Sequence, residues 1–281
     1  MQAKEITTKS VITETKLPDS DYVINPYNGC QHGCVFCYCR EFTKRFTKHE
    51  EPWGQYVDAK VNAPTVIQKE LRKPYSGNIF LSSLTDPYQP MEKKYEITRK
   101  ILQELLKKKD QNPDMKLSIL SRGYFVTRDI DLFRQFGNQI EVGFSINTLD
   151  DQFRRITEPV AASIERRFEQ LKELSDAGVD TYIGMCPLFP GFTDIDALYK
   201  RFHDVGVKWV FTETFNTRGE NWTETKKVLE KHYPEQLPEI ERIFFDKDYT
   251  WYKQMQGKIK ALADKYNIRT ELFFDMGHGK F

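Results

Sequence analysis

The chain reads as an α/β protein built from parallel βαβ units, and three features of its sequence say so. Six short apolar runs rich in β-forming residues recur along it. Longer segments whose apolar residues repeat with helical spacing lie between them, and Gly, Pro or Asp punctuates the joins. Strands that alternate with helices pair in parallel, because each helix carries the chain back across a face of the sheet. The length of 281 residues suits one large domain or two small ones.

The elements follow in order. A polar lead-in over residues 1–21 precedes the first strand, YVINP (22–26), which runs straight into NPYNGCQHGCVFCYCR (25–40). The helical stretch PTVIQKELRK then leads to a second strand, NIFLSS (78–83), and EITRKILQELLKKK to a third, KLSILS (116–121). RDIDLFRQF precedes the fourth, IEVGFSIN (140–147); ASIERRFEQLKELSDAG precedes the fifth, DTYIGMCPL (180–188); DIDALYKRFHDVG precedes the sixth, KWVFTETF (208–215). After Phe215 come two or three helical segments, the aromatic-rich DKDYTWYKQ, a strand-like RTELFF and the closing DMGHGKF, whose His278 reads as a surface residue. No linker separates this tail, so residues 217–281 are expected to form an extension packed on a core spanning 22–216.

Composition narrows the function. With 39% hydrophobic and 30% charged residues, no apolar run long enough to span a bilayer and no signal-peptide core, the chain is expected to be cytoplasmic and to avoid membranes. Forty-two basic against forty-one acidic residues give no bulk electrostatic case for nucleic acid or anionic lipid. Local runs such as Lys107–Lys109 read as the solvated end of a helix.

Four of the five cysteines fall within ten positions: Cys30, Cys34, Cys37 and Cys39. An odd number, without a secretion signal, argues against a disulfide framework and for metal or redox chemistry. The first three are spaced C-x3-C-x2-C. Three thiolates can hold three irons of a 4Fe–4S cube and leave the fourth open to an outside ligand. A structural zinc bound by these cysteines or His32 is an alternative, although zinc ligands usually come as two separated pairs. A redox pair at Cys34 and Cys37 is another, although it wants a different fold context. Cys39 reads as a packing residue of the helix after the loop. In α/β folds reactive groups collect beyond the carboxyl ends of the strands, which is where this loop begins.

The three-cysteine spacing resembles the signature of radical S-adenosylmethionine (SAM) enzymes, in which SAM chelates the open iron through its amino and carboxylate groups. In that family an aromatic residue precedes the third cysteine and lies against the adenine; here it is Phe36. SSLTDPYQPME, ILSRGYFVTRDIDL, GFSINTLDDQFRRITEPVAASIERRFEQLKELSDAGV and CPLFPGFTD extend the likeness over residues 23 to 195, and FNTRG at 215–219 prolongs it weakly. Together they are similar to the spore photoproduct lyase-related branch. The resemblance implies a partial TIM-type (β/α)6 barrel, a 4Fe–4S cluster on Cys30, Cys34 and Cys37, bound SAM, and 5'-deoxyadenosyl radical chemistry fed by a reducing partner such as flavodoxin or ferredoxin. It leaves the substrate open among small molecule, peptide and nucleic acid; a nucleic-acid lesion lyase and a non-enzymatic zinc protein are the alternatives. The lyase that names the branch is understood to use a hydrogen-donating cysteine after its second strand. Here Ser83 stands near that place and no cysteine lies between Cys39 and Cys186, so the likeness implies a relative of that lyase and not the lyase itself.

The resemblance also places roles at the strand ends. Tyr38 beside the third cysteine, and the Ser83, Thr85 and Asp86 segment after the second strand, are expected at the cofactor, with Asp86 toward the SAM amino group. Ser121 and Arg122, after the third strand, are expected at its carboxylate. Alternation on the fourth strand turns Val142, Phe144 and Ile146 to the helices and Gly143, Ser145 and Asn147 inward. Ser145 and Asn147 thus become candidates for the ribose hydroxyls. On the fifth strand Tyr182, Gly184 and Cys186 point inward, and Cys186 is the candidate hydrogen-atom donor. Glu213 near the end of the sixth strand is expected to touch SAM or substrate, although the parity there is ambiguous because Trp209 and Phe211 share its face. Glu158 is expected to orient its loop through Arg154 or Arg155.

Overall fold

The structure is a computed structural model that describes residues 2–245 and 249–274. Its strands are β1 (Gln2–Ile6), β2 (Ile12–Glu14), β3 (Tyr22–Ile24), β4 (Tyr27–Asn28), β5 (Tyr56–Lys60), β6 (Gly77–Leu81), β7 (Met115–Ser121), β8 (Ile140–Ser145), β9 (Asp180–Gly184), β10 (Trp209–Glu213) and β11 (Arg269–Phe273). The helices that matter below are α1 (Cys39–Lys44), α2 (Asp151–Thr157), α3 (Ile164–Asp176), α4 (Glu220–His232), α5 (Leu237–Phe245) and α6 (Thr250–Tyr266).

Among the described residues the main sheet has eight strands in the order β11-β10-β9-β8-β7-β6-β3-β2. All its pairings are parallel except β2 with β3. The six strands read from the sequence are its centre, in sequence order, as consecutive right-handed crossovers require. The sheet is open, with β2 and β11 as its edges. A second sheet, β1-β5-β4, was not legible in the sequence: the lead-in forms β1, which pairs in parallel with β5.

Alternation works as expected along the parallel strands. Val142, Phe144, Ile146, Ile183 and Met185 all belong to the core between sheet and helices. The opposite faces enclose the lumen. A methyl group at Gly143 would lie 2.7 Å from the Tyr182 ring, and one at Gly184 would lie 2.9 Å from Phe211 and 3.3 Å from Leu120. Tyr182 stacks on Trp209 at 4.7 Å, and its hydroxyl meets Ser118 at 2.8 Å. The lower lumen is therefore packed solid, with Phe211 and Leu120 forming the floor of whatever space lies above. Val210 and Thr212 are fully buried on the other face of β10, so Trp209, Phe211 and Glu213 face inward, which resolves the parity of that strand.

Candidate active site at the carboxyl end of the sheet

The loop after β3 carries Cys30, Cys34 and Cys37 on a path set by glycine. Gly29 has φ +78°, and a Cβ there would lie 2.6 Å from the Tyr56 carbonyl oxygen and 2.8 Å from its ring, so only glycine fits. Thr85 Oγ1 donates to the Gly29 carbonyl at 2.6 Å, and Val35 N donates to the Thr157 carbonyl at 2.9 Å. Cys30 and Cys34 are buried and Cys37 is half-buried. Among the described residues no group of three or more His, Cys, Asp and Glu side chains converges on a single metal-ion position.

The thiols differ in electrostatic setting. Burial pushes the Cys30 and Cys34 thiols up, with Arg122 working against it at Cys34. The Cys37 thiol is lowered, chiefly because the Cys39 thiol donates to it, with the Cys39 backbone, Arg122 and Arg40 adding to the effect. Cys39 thus stands beside Cys37 as a donor, at the start of α1, with its sulfur 3.4 Å from the Ser83 carbonyl. Tyr38 Oη donates to the same carbonyl at 2.8 Å. Ser83 itself is tied back through Asn25 Nδ2 at 3.3 Å.

Asp86 is the post on which three loops hang. Its Oδ1 accepts from Tyr88 N and Ser121 Oγ at 2.8 Å each, and its Oδ2 accepts from Arg122 N at 2.7 Å with His32 Nε2 at 3.1 Å. Burial alone would raise this carboxyl; His32 and the surrounding donors hold it low. Both oxygens are engaged inside the chain, so Asp86 fixes the turn that presents Arg122.

Arg122 is half-buried and turned into the site. Its Nε donates to Glu158 Oε1 at 2.9 Å, its guanidinium reaches the Cys186 carbonyl at 3.3 Å, and it lies over the Phe36 ring at 5.6 Å. The other oxygen of Glu158 takes Arg167, which also donates to the carbonyls of Ser145 at 2.7 Å and Ala162 at 3.0 Å. The expected partners of Glu158 are thus corrected: its carboxylate pairs with Arg122 and Arg167, while Arg154 meets only its backbone, reaching its carbonyl at 3.4 Å and accepting from its amide at 2.7 Å, and bonds Asp151. The reason is position, since Arg167 on α3 shares the buried stripe of Ile164, Phe168 and Leu171 and points at Glu158. That same stripe is the signal sequence reading passed over: an arginine at i+3 among apolar core positions needs a buried acid.

On the inner face above the floor, Ser145 is buried and its hydroxyl has no partner among the described residues. Asn147 Nδ2 donates to the Pro187 carbonyl at 2.8 Å. Burial and then the Glu213 carboxyl push the Cys186 thiol up, which keeps it as S–H. Burial also raises the Glu213 carboxyl. The strand ends therefore gather Cys34, Cys37, Phe36, Cys186 and Glu158 about Arg122, and Glu213 beside Cys186 and Tyr38. Thr85 is turned to the Gly29 carbonyl, and Ser121 to Asp86. His278 lies outside the described residues.

Residues 24–202 match the model of the radical SAM superfamily. The chain belongs to that superfamily. As a radical SAM protein it is an enzyme of SAM-dependent radical chemistry. It is 35% identical over 231 residues to an uncharacterized protein of Methanocaldococcus jannaschii, covering 82% of this chain and 83% of that one. It is 24% identical over 254 residues to the radical SAM Nalpha-GlyT isomerase of Pseudomonas phage M6, covering 89% of this chain and 49% of the phage protein. Among solved structures, spore photoproduct lyase complexed with dinucleoside spore photoproduct superposes with a TM-score of 0.67 at 15% identity, over 96% of this chain and 81% of the lyase. At that identity the likeness is one of fold. No helix of the described residues is long and apolar enough to cross a membrane.

Proposed function

We propose that this radical SAM protein holds a 4Fe–4S cluster on Cys30, Cys34 and Cys37 and uses SAM to abstract hydrogen from a substrate carbon. The donor set fits the group. Three thiols lie on one glycine-turned loop at the carboxyl end of a parallel sheet, Arg122 sits close enough to two of them to favour thiolate, and the buried Ser145 hydroxyl is left for a ligand to satisfy. Held there by Cys30, Cys34 and Cys37, the cluster would supply the electron for reductive cleavage of SAM, itself reduced by a carrier such as flavodoxin or ferredoxin.

The chain's own residues do the rest. Arg122, fixed by Asp86 and Glu158, offers its guanidinium to the SAM carboxylate; Phe36 meets the adenine; Ser145 and Asn147 take the ribose hydroxyls. Cys186, protonated beside Glu213, returns a hydrogen atom where the reaction needs one. The packed floor of Phe211 and Leu120 keeps the reacting carbon at the mouth and water out from below. The observation that carries the reading is the gathering of Cys34, Cys37, Phe36 and Cys186 about one arginine. The test is anaerobic reconstitution: about four iron and four sulfide per chain, lost in Cys30→Ala, Cys34→Ala and Cys37→Ala but kept in Cys39→Ala, and slow 5'-deoxyadenosine formation with dithionite and SAM. A reducible cluster that never yields 5'-deoxyadenosine refutes it.

A further inference from the structure

Aiming a cysteine takes two peptide groups, because the planar units on either side of its Cα set φ and ψ and so direct the Cα–Cβ bond. At Cys30 both are held by side chains of one segment, the turn after β6. The carbonyl before it, of Gly29, accepts from Thr85 Oγ1 at 2.6 Å and from Gln89 Nε2 at 3.4 Å. The amide after it, of Gln31, donates to Gln89 Oε1 at 2.9 Å. That bond fixes which way the Gln89 amide points, since a backbone N–H needs an acceptor and only Oε1 is one. Nε2 also donates to Thr85 Oγ1 at 2.8 Å, so the donors run in one direction, from the Gln89 amide through the Thr85 hydroxyl to the Gly29 carbonyl. In return the Gln31 side chain accepts from the Met91 amide. At Cys34 the hold comes from the backbone instead, where Val35 N donates to the Thr157 carbonyl at 2.9 Å.

Gln89 is 0% exposed, and a buried amide costs stability unless its hydrogen bonds are made. Packing alone would be served by an apolar side chain of the same length. What the amide adds is a grip on the two peptides of one cysteine. We propose that Gln89 and Thr85 are positioning residues for Cys30, which lock its backbone so that the thiol is aimed before any metal binds. This rests on the cluster reading above and adds the device that directs its first ligand. It also gives Thr85, expected at the cofactor, a share in holding it that runs through Cys30. Neither residue needs to touch the cluster or SAM for this.

Metal-free protein is pulsed with N-ethylmaleimide, and the modified cysteines are located by tandem mass spectrometry. Cys34, on the same loop and buried like Cys30, is the internal reference, because general unfolding exposes both. Gln89→Met and Thr85→Val are expected to speed Cys30 modification about tenfold relative to Cys34, the factor that one or two lost hydrogen bonds would release. Thr85→Ser keeps the hydroxyl and is expected to stay within about twofold of the wild type. After reconstitution, Gln89→Met and Thr85→Val are expected to lose iron to a chelator about tenfold faster, with an altered EPR spectrum of the reduced cluster. Equal acceleration of Cys30 and Cys34, an unchanged Cys30 rate, or a Thr85→Ser protein that behaves as Thr85→Val overturns the proposal. So does iron release at the wild-type rate from variants whose Cys30 has been loosened. Should Gln89→Met not fold, the two Thr85 variants decide alone. A wild type that binds no iron would instead count against the cluster reading, while the modification pattern, read without metal, still tells whether this turn aims Cys30.

Discussion

Replacing Glu158 by Gln tests the electrostatic frame of the site. The carboxylate is 1% exposed and joins Arg122, from the end of β7, to Arg167, itself 1% exposed on α3. The amide keeps the shape and one acceptor but leaves two guanidiniums without a counter-charge. Breaking one side of a buried ion pair costs about 3–5 kcal/mol. Arg167 retains the carbonyls of Ser145 and Ala162, and Arg122 has partial access to water, so the lower end, about 3 kcal/mol, is expected. For a chain of this size that corresponds to a fall of roughly 5 °C in Tm. The assay is urea unfolding of the metal-free protein at pH 7 for wild type, Glu158→Gln, Arg167→Met and the double variant. If the pair acts as a unit, the double variant is more stable than the sum of single losses predicts by at least about 1 kcal/mol. A loss below about 1 kcal/mol in Glu158→Gln, or strict additivity, would refute the account. The pH dependence carries a sign. Burial would raise the Glu158 carboxyl, but Arg167 and Arg122 hold it below its ordinary value. Its contribution is therefore present above the unfolded carboxylate pKa of about 4.3 and is lost as pH falls through the lower folded value. The wild type should lose this increment on acidification and Glu158→Gln should not.

The remaining predictions are narrower. Gly29→Ala, at φ +78° and 2.6 Å from the Tyr56 carbonyl oxygen, should destabilise by at least about 2 kcal/mol and lower the iron retained on reconstitution, read by metal analysis; unchanged iron would mean the loop moves freely. Asn147→Ala should weaken SAM binding by about 1–2 kcal/mol, measured by calorimetry on the reconstituted enzyme, and an unchanged affinity would remove Asn147 from the ribose. Asp86→Asn keeps the size but weakens the hold on Ser121, the Arg122 amide and His32. Its substrate-free 5'-deoxyadenosine rate should drop at least tenfold with the cluster still formed, and a normal rate would leave Asp86 without a share in presenting Arg122.

The six central strands were legible because each is an apolar run too short for a helix and bounded by breakers, and their inward and outward faces followed from alternation. Strand ends were not. Ile146, Met185 and Leu188 lie past the strand ends yet are buried, and their amides still donate to the carbonyls of Gly184, Phe211 and Glu213, so burial and single bonds run on where the regular ladder stops, and the left-handed Ser82 (φ 77°) ends β6 with no signal a serine could give. The β1–β5 pairing was hidden for a different reason. Four of the five residues of β1 are exposed, its composition is polar, and its partner lies some fifty positions away. At the site, the cysteine loop was plain from spacing, whereas the roles of Asp86 and Arg122 turn on partners 36 positions apart, a distance over which local pattern says nothing. Arg167 stood between the two cases: its place in the apolar stripe of α3 was readable, but its acid was not.

The tail past residue 217, for which no motif was found, turns out to bear on the cysteines. Cys34 and Phe36 share a small core with Phe153 of α2, Phe189, Phe215, Leu229 of α4, and Leu237 and Ile240 of α5. Phe215 stacks on Phe244 at 4.9 Å, and Phe189 sits edge-on to Phe36 at 5.6 Å. On the outside, Glu41 Oε1 of α1 accepts from Glu220 N at 2.6 Å, and Arg40 reaches Glu224 at 3.7 Å, so α4 clasps the helix that leaves the loop. Beyond α6 the chain adds β11 beside β10, the strand that carries Glu213. The loop that presents the thiols and the strand that ends in Glu213 are therefore braced by the same segment, the one in which the sequence showed no chemistry. Aromatic side chains fill this core at low rotamer cost and exclude water from the inner side of Cys34.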